Sequence, residues 1–75
     1  RAERERTVRF FVRAVRRAYA LPLETAIATV EMLAAITDQA GRQVAAGDLD
    51  VETATEMCVS LILGGLERLA HRAWA

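Results

Sequence analysis

Seventy-five residues with no net charge, 53% hydrophobic but only 5% aromatic, amount to one domain at most, built for packing Ala, Leu, Val and Ile in helices. One cysteine, Cys58, excludes an internal disulfide, and the one histidine, His71, stands thirteen residues away without a companion Cys or His, which argues against a metal centre. A chain of this size buries only about 60–65% of the surface its unfolded form exposes, so the support left to it is another chain.

The first element is expected over residues 3–20. Val8, Phe11, Val12, Val15 and Tyr19 fall at i, i+3, i+4, i+7 and i+11, which is one face of a helix. Arg6, Arg9, Arg13, Arg16 and Arg17 fall elsewhere on the wheel. The stretch "TVRFFV" also alternates like a strand, with Val8, Phe10 and Val12 against Arg9 and Arg13. The face continues through Tyr19, and that favours the helix.

Pro22 in "ALPLETA" disfavours a helical Leu21 and suits the opening of a second helix, expected over 22–46. Glu24 then lies near its positive end. Leu23, Val30, Thr37 and Val44 recur every seven residues, with Ala26, Leu33 and Ala40 between them. Such near-heptad spacing suits packing alongside another helix. Glu24, Glu31 and Asp38 mark its wet side.

In "AAGDLDVET", Gly47 suits a left-handed helix end, and Asp48 or Asp50 suits the cap of a third helix, expected over 51–73. Ala54, Cys58, Leu61, Gly65 and Leu69 make one face of it. Glu52, Glu56, Glu67 and His71 make a polar one. Between them Val59, Ile62, Leu63 and Leu66 widen the apolar arc until "MCVSLILGGL" leaves little for water. A helix apolar on most sides must be buried on most sides, and in a three-helix unit it has only two neighbours. Gly64 and Gly65 each cost about 1 kcal/mol relative to Ala in a helix interior, yet permit close backbone approach. The fold expected is all-α, a three-helix unit completed by helix-helix dimerisation. The residues expected at the dimer or partner interface are Val59, Ile62, Leu63, Gly64, Gly65 and Leu66. The blander reading is that the stretch is simply this domain's core helix.

Charge is divided along the chain. Residues 1–17 carry seven Arg and two Glu, and residues 18–75 carry three Arg and eight Asp or Glu, so the balance is +5 against −5. Arg9, Arg13, Arg16 and Arg17 are the candidate basic rim of a protein contact. The stripe suits phosphates too, but the neutral total and the scarcity of aromatics make direct nucleic-acid binding the weaker reading. A basic amphipathic helix can also lie on a bilayer, a weaker reading still.

No catalytic set is expected. Cys58 sits mid-helix in an apolar run, where thiols are inert. His71 suits a helix-end or solvated role. Nothing resembles a phosphate-binding loop, and no cofactor is expected. No run approaches the roughly 20 apolar residues of a membrane span, and the opening "RAERERT" is not followed by a signal-peptide core. With a free thiol, these features suit the cytoplasm.

Two family resemblances bear on function. "LPLETAIATVEMLAAI" followed by an apolar last helix resembles the QslA-like small helical bacterial anti-activators, carried here by Leu23, Glu24, Ala26 and Leu33. That resemblance implies a non-enzymatic partner of LuxR-type quorum-sensing transcription factors. "GRQVAAGDLDVETATEMCVSLILGGLERLA" is similar to the last two helices of TetR-type transcriptional regulators, with Gly47, Leu49 and Asp50 as the link. It implies that Leu61, Leu63, Gly65 and Leu66 belong to a dimerising helix.

Overall fold

A computed structural model describes residues 2–72 and 74. It contains α1 (Ala2–Tyr19), α2 (Leu23–Ala45) and α3 (Val51–Ala70), and no strand among the described residues. The protein is an all-α three-helix unit.

α1 opens with Glu3 and Glu5 in its first turn and closes with Arg16 and Arg17 in its last, so its charges oppose the helix dipole. Residues 7–13 are helical throughout; the alternation of "TVRFFV" gives way to the longer-period face of Val12 and Val15, both buried. The helix stops one residue earlier than the pattern suggests. Ala20 takes φ 52, a left-handed conformation that terminates the helix. An alanine is strained there, because its Cβ crowds the following carbonyl. Ala20→Gly is therefore expected to raise the unfolding free energy by about 0.5–1 kcal/mol, read as a higher denaturant midpoint at unchanged slope.

Leu21 follows and is buried in the core, and Pro22, with φ −58 and ψ 152, stands just outside α2 as its N-cap. Its carbonyl receives the Ala26 amide at 2.9 Å. The chain turns through 118° between α1 and α2. Within α2, buried Thr29 satisfies its hydroxyl by donating to the Thr25 carbonyl at 2.7 Å. The end of α2 is a Schellman motif: the Gly47 amide donates to Val44 O at 3.0 Å and the Asp48 amide to Gln43 O at 2.9 Å. Gly47 has φ 81, which only glycine adopts without strain.

Asp50 caps α3, its Oδ1 accepting the Thr53 amide at 2.7 Å. Hydrogen bonds from Thr53, side chain and backbone, hold the Asp50 carboxyl below its ordinary pKa of 3.8. α3 ends at Ala70 rather than at 73, and Ala73 lies outside the described residues. Beyond it, Trp74 folds back on the core, its indole N–H donating to Leu69 O at 3.0 Å with the Arg72 guanidinium 4.9 Å above its ring.

The core gathers Val12 and Val15 of α1, Leu21 of the turn, Ala26 and Val30 of α2, and Leu66 of α3. α2 packs most extensively against α1, less against α3, and α1 touches α3 least. The result is a slab measuring 42 × 31 × 15 Å. Its radius of gyration is 13.6 Å, against about 11 Å for a compact domain of this length.

Candidate interaction surface

α3 divides lengthwise into three strips. Ala54, Cys58, Ile62 and Leu66, four residues apart, turn toward the chain's own core; Ala54 and Leu66 are buried, Cys58 and Ile62 half-buried. Ile62 and Leu69 pack against the core cluster. Leu66 is only 5% exposed, which corrects its expected place at an intermolecular contact: it is α3's anchor on Val12, Val15 and Val30. Ile62 is corrected in part for the same reason, since its inner side is already occupied. The inward strip is centred on Ile62 and Leu66, so the single face expected of Ala54, Cys58, Leu61, Gly65 and Leu69 divides, and Leu61 and Gly65 stand exposed.

The second strip is Glu52, Glu56, Val59, Leu63 and Glu67, all exposed. Val59 and Leu63 are each 49% exposed, an apolar centre between glutamates. The third is Met57, Leu61, Gly64 and Arg68, also exposed. A Cβ placed on Gly64 or Gly65 would meet nothing within 4 Å. The chain's own packing therefore makes no use of either glycine, although each weakens the helix.

α1 presents the opposite sign. Arg6, Phe10, Arg13 and Arg17 form an exposed stripe at spacings of four, three and four, opposite the buried Val12 and Val15. Phe10 is 66% exposed, its ring set edge-on to Phe11 with centroids 5.6 Å apart. Arg9 and Arg16, on the flank of this stripe, are exposed as well. Sequence periodicity placed Phe11 on the core face, yet it lines an open apolar groove of about 660 Å³ with Val8, Leu33 and Ile62. The two helices diverge too steeply for α2 to cover it.

The groups with chemical potential remain dispersed. Cys58 lies half-buried beside Met57, Leu61 and Ile36. His71 Nδ1 is bonded to the Glu67 carbonyl at 2.8 Å, closing the end of α3. Among the described residues no group of three His, Cys, Asp or Glu side chains comes together to hold a metal. No single helix among them is long and apolar enough to cross a membrane.

Sequence reasoning missed Leu21, the Phe10 stripe and Trp74. Leu21 was legible as an apolar residue locked before Pro22. Phe10 was legible as a large apolar residue set among arginines one turn apart. Trp74, beyond the periodic pattern, offered no signal beyond its size.

The helices and strips define a three-helix unit with charged, partly apolar outer faces. No protein-family model, curated protein or solved structure matches the chain.

Proposed function

We propose that this chain is a small non-enzymatic protein-binding regulator that works through helix-mediated contact, first with a second copy of itself and then with a larger partner. The observation that carries the reading is the amount of surface left uncovered. The accessible area is 6014 Å². A folded monomer of 8.3 kDa is expected to expose about 4,600 Å². The excess, about 1,400 Å², exceeds the roughly 800 Å² that each partner contributes to a stable interface. Part of it is made of large apolar side chains on helices, Phe10, Leu61 and Leu63 among them.

The partner of highest interest is a transcription factor, captured as an anti-activator captures it: apolar helix burial supplies affinity, and arginines and glutamates at the rim supply orientation. A bacterial, cytoplasmic role in quorum sensing is the setting that the anti-activator resemblance suggests. Cys58, a free thiol, suits a reducing compartment.

A second reading, the dimerisation helices of a TetR-type ligand-responsive repressor, is favoured by the link. Gly47 closes one helix and Asp50 caps the next, and Val59, Leu61 and Leu63 are exposed along the outer side of that last helix.

Light scattering behind a sizing column, over a wide concentration range, tests the first step. A particle of twice 8.3 kDa is expected. A monomer at every concentration would remove self-association from both readings.

A further inference from the structure

Two exposed stripes match in shape and oppose in charge. On α1, Phe10 stands between Arg6 on one side and Arg13 and Arg17 on the other. On α3, Val59 and Leu63 stand between Glu52 and Glu56 on one side and Glu67 on the other. Both are helical stripes of spacings three and four, so each presents a straight edge. They belong to the two halves of the chain whose balances are +5 and −5, which together leave the protein neutral.

We infer that α1 of one copy docks antiparallel on α3 of a second copy, and that a two-fold pair makes this contact twice. The inference rests on the reading that the outer face of α3 is covered by another copy, and it names what covers it. Antiparallel alignment is favoured by register. When Phe10 is set between Val59 and Leu63, at about 1.5 Å rise per residue Arg13 falls about 3 Å along the axis from Glu56 of the second copy. Arg17 then falls about as far from its Glu52, and Arg6 from its Glu67. Each arginine then has a carboxylate of its own, whereas the parallel alignment sends both Arg13 and Arg17 to Glu67, about 4.5 and 1.5 Å away, and leaves Glu52 without an arginine. Made twice about a two-fold axis, such an interface is self-complementary and closes at two copies. Phe10 supplies the buried anchor, and the charges select orientation. An α3-on-α3 contact through the same strip would instead gather the glutamates of both copies.

The test is sedimentation equilibrium of the full chain at low salt, comparing four proteins, each first verified by circular dichroism as helical. They are the parent, Arg6→Glu with Arg13→Glu, Glu56→Arg with Glu67→Arg, and the chain carrying all four changes. Each double variant is expected to dissociate roughly tenfold more readily, and the fourfold swap is expected to return to within about threefold of the parent. If a charge reversal unfolds the chain, Arg6→Gln with Arg13→Gln takes its place, with a loss of roughly threefold. Raising the salt should weaken the parent and the swapped chain alike. Should only the glutamate changes matter, or should the fourfold swap recover nothing, the inference is overturned although self-association stands. A parent that stays monomeric overturns both this inference and the self-association on which it rests.

Discussion

Under the proposed self-association, Leu63→Lys is expected to dissociate the pair to the 8.3 kDa monomer while leaving its helix content intact. Leu63 is half exposed on the outer strip of α3 and is absent from the core cluster, so the folded chain loses little when it is replaced. Lysine also favours a helix interior about as well as leucine does. The association, by contrast, loses an apolar contact worth about 1.5–3 kcal/mol on full burial and acquires an ammonium that must be desolvated. Together these weaken self-association by roughly a hundredfold or more. Light scattering at matched concentrations, with circular dichroism beside it, reads both halves of the expectation. Retained association would move the interface off this strip, whereas a loss of helix would show that Leu63 supports the fold. Ile62→Lys is the instructive contrast. Its inner side packs on the core, so it is expected to lower stability and association together.

The second large effect is on stability. Leu66→Ala removes a side chain 5% exposed that ties α3 to Val12, Val15 and Val30. Truncations of this type cost about 2–4 kcal/mol. A domain of this length has only about 4–11 kcal/mol in total, and here no large side chain among the described residues is completely enclosed. Its melting temperature is expected to fall by about 10–25 °C. Met32→Ala is the control: Met32 is exposed on α2 and should change stability by about 0.5 kcal/mol or less. Both are compared at one protein concentration, since association itself raises the melting temperature. A Leu66→Ala chain as stable as the parent would mean that α3 is held by its neighbours in the assembly rather than by its own chain.

Leu63 and Leu66 together show where periodicity reaches its limit. Both fall in the same apolar run, and both satisfy a helical pattern. Around α3 the apolar arc spans more than one neighbour can cover, so no spacing rule selects its inner side. That choice depends on where α1 and α2 sit. The 118° turn between them leaves α3 leaning on α2, and this brings Ile62 and Leu66 inward while leaving Val59, Leu61 and Leu63 outside. The same turn leaves Phe11 beside an open groove although its spacing matches Val8 and Val15.

The three helices and their order were legible from residue pattern alone, because the signals that start and stop them are local. Pro22 has its φ set by its ring, Gly47 tolerates φ 81 without a Cβ, and Asp50 reaches the Thr53 amide three residues on. Charge division was equally legible, since it is a property of the chain alone. Tertiary structure decided which apolar residues became core and which became surface. Burial depends on the crossing of helices that lie far apart in sequence, and here the crossing forms a slab only 15 Å thick, whose two faces cannot both be covered from within.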